Sequence, residues 1–190
     1  MRRVLLEILV LMVLLSAPLS SDTKATKEYR SKDGSHVVIF PIRKWTGDYI
    51  SHESKLEFYS PDNDLLCALD YSSVDHEHGF GIVKAAWTPD NDYFVFSLTS
   101  SGGHQAWHAP TLFYSVRDHE IRSLDSYVAP AGIGIAKADF TLLPPNTVVT
   151  QVQGEASIPI RFRLDSLVNS GHKSKHSLSC TEGKVIHPNA

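Results

Sequence analysis

An internal repeat of about fifty-five residues constrains the fold of this chain more than any single motif. The segment LEFYS at 56–60 matches TLFYS at 111–115, an offset of 55 positions (58 to 113). Asp70 and Asp125 fall at the same offset, and IVKAAWT at 82–88 matches IAKADFT at 135–141 (offset 53, 82 to 135). Repeats of this length are typical of arrays of supersecondary units.

Each unit is predicted to be a four-stranded antiparallel meander. Short runs of β-branched and aromatic residues alternate with turns rich in Pro, Asp, Asn and Gly. The strands of the first unit are predicted at 27–30, 37–42, 55–59 and 65–71, and those of the second at 82–87, 93–98, 111–116 and 121–124.

A partial third unit begins at Ile135 and turns at PPN, 144–146. It ends in a strand at 158–164, which we expect at a sheet edge because Pro159 has no backbone N–H to donate. No amphipathic helix is predicted after the N-terminal segment. The fold class predicted is therefore all-β, with two propeller-blade-like meander units and part of a third.

The segment WTPDN at 87–91 forms the first turn of the second meander unit. The segment SPDN at 60–63, at a different turn, matches it in part. This meander resembles the blades of TolB-type β-propellers, whose repeats carry a Trp-Ser-Pro-Asp-Gly signature. The resemblance covers about one blade well and implies propeller-like sheets. Because propellers close with about four to eight blades, we expect a sandwich or an open array within one chain, the alternative being closure with a partner.

The N-terminus has the pattern of a secretory signal peptide. Arg2 and Arg3 precede an apolar run at 4–15, interrupted by Glu7, and small residues follow at 16–21. The run is shorter than the about 20 residues of a membrane span, and a retained signal anchor is the alternative. We expect a signal peptide at 1–21, an all-β repeat domain at 22–165 and a flexible polar tail at 166–190, with export to the periplasm or the exterior and no membrane span after cleavage.

Charge and cysteine content narrow the function classes. With 18 Lys and Arg against 21 Asp and Glu, the net charge is −3, which argues against a nucleic-acid partner. Cys67 lies in a predicted strand and Cys180 in the polar tail. An exported protein favours a disulfide, but a buried thiol with a separate tail thiol fits the sequence equally well.

Two histidine clusters stand out among the ten histidines, DHEHG at 75–79 and GGHQAWH at 102–108. Since the chain of a meander reverses at every turn, both loops are expected at the same end of the sheets. Imidazole nitrogens are ligands for zinc and other transition metals. One hypothesis is therefore a metal site, zinc for example, formed by His76, His78, His104 and His108. The alternative is that they are solvated loop histidines.

The second cluster also has the features of a ligand-binding loop. Gly102 and Gly103 allow positive φ and close approach of a ligand. Trp107, flanked by His104 and His108, offers an aromatic wall for a sugar, a peptide or an aromatic ring. The alternative is that Trp107 covers the core of its own sheet.

No catalytic residue is assigned, because Gly-x-Ser-x-Gly, Walker and His-Glu-x-x-His motifs are absent from the sequence. The sequence favours an exported, non-catalytic binding or interaction module, with a protein or small-molecule ligand at the His/Trp loop face. The alternative is a metal-binding protein or metalloenzyme that uses the histidine cluster.

Overall fold

Alternating side chains and closely spaced turns organise most of the described chain into strands. The computed structural model describes residues 26–45, 50–103, 108–128, 134–152, 159–170, 177–181 and 183–188. The predicted signal peptide lies outside these residues. The strands are β1 Lys27–Arg30, β2 His36–Trp45, β3 Ile50–Tyr59, β4 Leu65–Asp70, β5 Phe80–Trp87, β6 Tyr93–Ser100, β7 Thr111–Ser115, β8 Glu120–Ser123, β9 Thr141–Leu143, β10 Thr147–Gln151, β11 Pro159–Arg163, β12 Leu178–Ser179 and β13 Lys184–Ile186. The helices are α1 Asp125–Val128 and α2 Leu164–Asn169.

The all-β prediction is confirmed, and three sheets contain all of these strands. The first sheet has the order β1-β2-β3-β4-β13, and the second has the order β12-β8-β7-β6-β5. In each, four strands consecutive in the chain pair antiparallel, and a C-terminal strand adds a fifth. The third sheet has the order β11-β10-β9. Pro159 lies in the edge strand β11, as its missing N–H predicts.

The turn at 88–92 combines local hydrogen bonds with a contact between sheets. The Asn91 N–H donates to the Thr88 carbonyl over 2.9 Å, and the Thr88 hydroxyl donates to Asp90 over 2.6 Å. Asn91 has a φ of 68°, in the left-handed region that Asn tolerates. The preceding Trp87 donates from Nε1 to the Tyr29 carbonyl of the first sheet over 3.0 Å. This segment therefore both turns the chain and joins the two sheets.

The main core lies between the first and second sheets. Period-two alternation sends one face of each meander inward. From the first sheet come Val37, Ile39, Leu56, Phe58, Cys67 and Leu69, and from the second come Phe94, Phe96, Leu98, Tyr114 and Ile121. A second core joins the other face of the second sheet to the third sheet, with Val95 and Phe113 against Val148 and Phe162. The second sheet is thus covered on both faces, and all of β6 up to Leu98 is buried.

The C-terminal segment differs from the predicted flexible tail. Its described residues include the end of α2, strand β12 on β8, and strand β13 parallel to β4. Leu178 and Ile186 pack on the main core, and Cys180 is fully buried in a disulfide with Cys67, with a Cα–Cα distance of 5.0 Å. The sequence did not predict these two strands, because segments of two and three residues are too short to show alternation.

Helices are also present where none was predicted. They have four and six residues, too short for an amphipathic period to show in the sequence. Within the described ranges, no helix is long and apolar enough to cross a membrane.

Removing the disulfide should strongly destabilise the fold. The bond links positions 113 residues apart, and a cross-link of this span stabilises by restricting the unfolded chain. We expect the C67A/C180A variant to lose about 2–5 kcal/mol of unfolding free energy, measured by urea denaturation. Dithiothreitol should lower the stability of the wild type by a similar amount. Two reactive thiols in the unreduced, unfolded wild type would contradict the bond.

Candidate functional site

A buried carboxylate organises one end of the first sheet. Glu53 lies in β3, and its side chain has no exposed surface. Its Oε1 accepts hydrogen bonds from the Ser73 N–H over 3.1 Å and the Ser73 hydroxyl over 2.7 Å. Its Oε2 lies 2.9 Å from Nδ1 of His76. These partners compensate for the loss of hydration that makes an unpaired buried carboxylate costly.

The connection from β4 to β5 folds over Glu53. His76 adopts a φ of 62°, which brings its ring onto the carboxylate. Gly79 passes so close that a Cβ there would lie 2.0 Å from Glu53 Oε1 and 2.5 Å from the Tyr71 carbonyl oxygen. Only glycine therefore fits at this position without rearrangement.

Asp75 holds the outer part of the same connection. Its Oδ1 accepts the N–H groups of Glu77 over 3.0 Å and of His78 over 3.2 Å, and its Oδ2 lies 2.6 Å from His78 Nδ1. Hydrogen bonds from the Glu77 N–H and the His78 ring lower the pKa of the Asp75 carboxyl. His78 is exposed, and its ring is directed to Asp75.

The glycine-rich loop after β6 begins against this connection. The Ser101 N–H donates to the Gly79 carbonyl over 2.9 Å, and its hydroxyl lies 3.3 Å from the His76 carbonyl oxygen and 3.4 Å from Glu53 Oε1. The two loops are therefore in contact at Ser101, as the reversal of the chain in a meander predicts.

The loop ends at a second carboxylate. His108 Nε2 lies 2.8 Å from Oδ1 of Asp125, the first residue of α1. Asp125 also accepts the N–H of Ile135 over 2.9 Å and that of Thr111 over 3.3 Å. The hydrogen bond to Asp125 raises the pKa of His108. We call Glu53 and Asp125 the carboxylate anchors, because they hold the two ends of the loop.

The predicted site residues that the structure describes lie in the two loops. Gly102 and Gly103 lie at the start of the loop. Gly103 has a φ of 71°, and among the described residues, apart from its chain neighbours, no atom lies within 4 Å of the position of a Cβ. His76, His78 and His108 each contact a different carboxylate. His104 and Trp107 lie outside the described residues.

The metal hypothesis finds no ligand set in the described part of the chain. There, no group of three or more His, Cys, Asp or Glu side chains is arranged to hold a metal ion. Because His104 is outside that part, the four-histidine site stays a prediction.

Neither carboxylate anchor is among the site residues predicted from the sequence. Glu53 alternates with Lys55 and Glu57 along β3, a pattern typical of a solvent-facing surface. It is buried because the connection from β4 to β5 covers it, and no local pattern reveals that. The repeat did draw attention to Asp125, since Asp125 is aligned with Asp70 at the offset of 55 residues.

No family model, curated protein or solved structure matches this chain. The resemblance to TolB-type blades therefore rests on the sequence motif alone.

Adding one methyl group at Gly79 should disturb the first anchor. We expect G79A to lower the unfolding free energy by about 2 kcal/mol or more, because the Cβ overlaps the Glu53 carboxylate and a backbone oxygen. G103A is the matched control, since its Cβ meets open space and only the left-handed backbone costs about 1 kcal/mol. Urea denaturation measures both, and equal losses would show that Gly79 is not sterically required.

The second anchor should make stability depend on pH. Because folding raises the pKa of His108 above its ordinary value of 6.5, the contribution of the pair is full below that value. It is lost as the pH rises through the folded pKa. We expect H108Q to destabilise the protein more at about pH 5.5 than at about pH 8.5, as measured by urea denaturation. A difference between wild type and variant that does not change with pH would contradict the pairing.

Proposed function

We propose that this protein is an exported, non-catalytic binding module whose ligand surface is formed around the loop that begins at Ser101 and ends at His108. The observation that supports this proposal is the fixing of both loop ends to the carboxylate anchors. A loop held in place on a rigid scaffold loses less conformational entropy when it binds, which increases affinity.

The contacts of the two histidines at the carboxylate anchors favour a role in positioning the loops over a role in catalysis. His76 and His108 each use one ring nitrogen to hold a loop on a carboxylate. The open space at Gly103 allows a ligand to approach the backbone. The ligand expected from the sequence is a sugar, a peptide or another aromatic-binding group, with Trp107 as its stacking partner.

Two observations support export. The N-terminal sequence has the pattern of a signal peptide. The Cys67–Cys180 disulfide is of the kind that persists in oxidising compartments.

The proposal is tested with the mature, disulfide-bonded protein on glycan and peptide arrays, followed by calorimetric titration of the best ligand. We expect W107A to weaken binding at least about tenfold, as for a central aromatic contact. D125N should weaken it several-fold by releasing one loop end, with the circular dichroism spectrum unchanged.

The control is D139N, which removes an exposed carboxylate paired with Lys84 outside the loop. It should bind as the wild type does. The absence of any array ligand whose binding depends on Trp107, or an equal effect of D125N and D139N, would contradict the proposed loop surface.

A further inference from the structure

A cleft of about 380 Å³ lies between the first sheet and strand β5, at the edge of the second sheet. Three basic side chains line it: Lys27 on β1, Arg43 on β2 and His52 on β3. All three are exposed to solvent. The cleft differs from the proposed loop surface, because these three residues lie on strands of the first sheet and not on the loop from Ser101 to His108.

The strand register explains why these residues share a cleft. Arg43 is the cross-strand partner of His52, and Lys27 is the partner of Ile39. Since alternate residues of a strand share a face, Ile39 and Arg43 lie on the same face of β2. The three basic residues therefore continue the face that forms the main core.

Along that face, the residues change from apolar to basic where the second sheet stops covering them. Ile39 and its partner Leu56 are buried in the core. Four residues further along β2, Arg43 and His52 are exposed. Strand β5 closes the base of the cleft, since a Cβ on Gly81 would lie 2.2 Å from the His52 carbonyl oxygen.

The cleft is positively charged in a protein whose net charge is −3. In the part of the chain that the structure describes, the side chains of Lys27, Arg43 and His52 form no ion pair or hydrogen bond. The one acidic residue in the lining is Glu53, and its carboxylate is buried against Ser73 and His76. Lys27 and Arg43 are the cationic side chains of this lining, and cations around a concave surface attract anions strongly, because the low-dielectric walls concentrate their field.

The remaining lining suits an organic ligand. The apolar Ile82 and the hydroxyl-bearing Thr99 are also among the lining residues. The volume is at the lower end of the range of small-molecule pockets, about 300–1,000 Å³. We propose that this cleft binds a small organic or inorganic polyanion with at least two carboxylate or phosphate groups, one held by Arg43 and His52 and another by Lys27.

Isothermal titration calorimetry of the mature protein tests this proposal with citrate and with inorganic pyrophosphate as probes. Sorbitol, similar in size to citrate but uncharged, is the ligand control. We expect saturable one-to-one binding of at least one anion and none of sorbitol. K27Q and R43Q should each weaken binding about tenfold, the effect of losing one hydrogen bond to a charged group.

The matched control variant is K44Q. Lys44 is also exposed and directly follows Arg43, but its side chain lies on the opposite face of β2. It should bind the anions as the wild type does. Lys27, Arg43 and Lys44 are exposed, and their side chains have no ion pair or hydrogen bond within the described ranges. The variants should therefore fold, which circular dichroism checks.

Every outcome of these titrations either supports or overturns the proposed anion site. Binding of citrate alone identifies a carboxylate ligand, and binding of pyrophosphate alone identifies a phosphate ligand. Failure of both anions to bind, or an equal loss in K44Q and R43Q, overturns the site. W107A should leave anion binding unchanged, so failure of the cleft and failure of the loop surface are distinguishable.

Discussion

The packing of Phe58 against the second sheet joins the two meanders. Its ring centroid lies 4.8 Å from that of Tyr114, 6.2 Å from Phe94 and 6.4 Å from Phe96, and all four side chains are buried. A meander of four strands has at least one apolar face and is stable only when another layer covers it. These contacts bring the two meanders together, and they set where β5 meets the first sheet. The connection over Glu53 and the basic cleft both follow from that placement.

Polar interactions then determine the geometry at the end of the sheets. Glu53 is fully buried and Asp125 partly so, and each accepts hydrogen bonds from backbone N–H groups, hydroxyls or an imidazole. Because a buried carboxylate without partners is costly, the loops that supply these partners are held in one arrangement. The Cys67–Cys180 bond acts at a different place, where it ties the C-terminal segment to the centre of the first sheet. Together, these interactions hold the connections and the C-terminal segment in place on the two packed meanders.

Local sequence was sufficient to predict most strands, but not the site. Period-two alternation and Pro-Asp-Asn turns identified the eight strands of the two meanders, and Pro159 identified an edge. The loop contact at Ser101 also followed from the reversal of the chain. The short strands β12 and β13 escaped detection, because two or three residues contain no periodic signal. Of the polar groups that hold the loops, His76 and His108 were singled out by sequence, whereas Glu53 was not.

The eight strands of the two meanders, their turns and their apolar faces can be predicted from the sequence alone, because these depend on backbone geometry and on neighbours a few residues apart. Which polar residues are buried, and which of them meet, depends instead on how distant segments pack. Glu53 has the same alternation as Glu57, yet it alone is fully buried, since residues about twenty positions later cover it. Lys27, Arg43 and His52 likewise meet in one cleft because strand pairing and β5 place them there. Burial and proximity depend on segments distant in the chain, which no local pattern encodes.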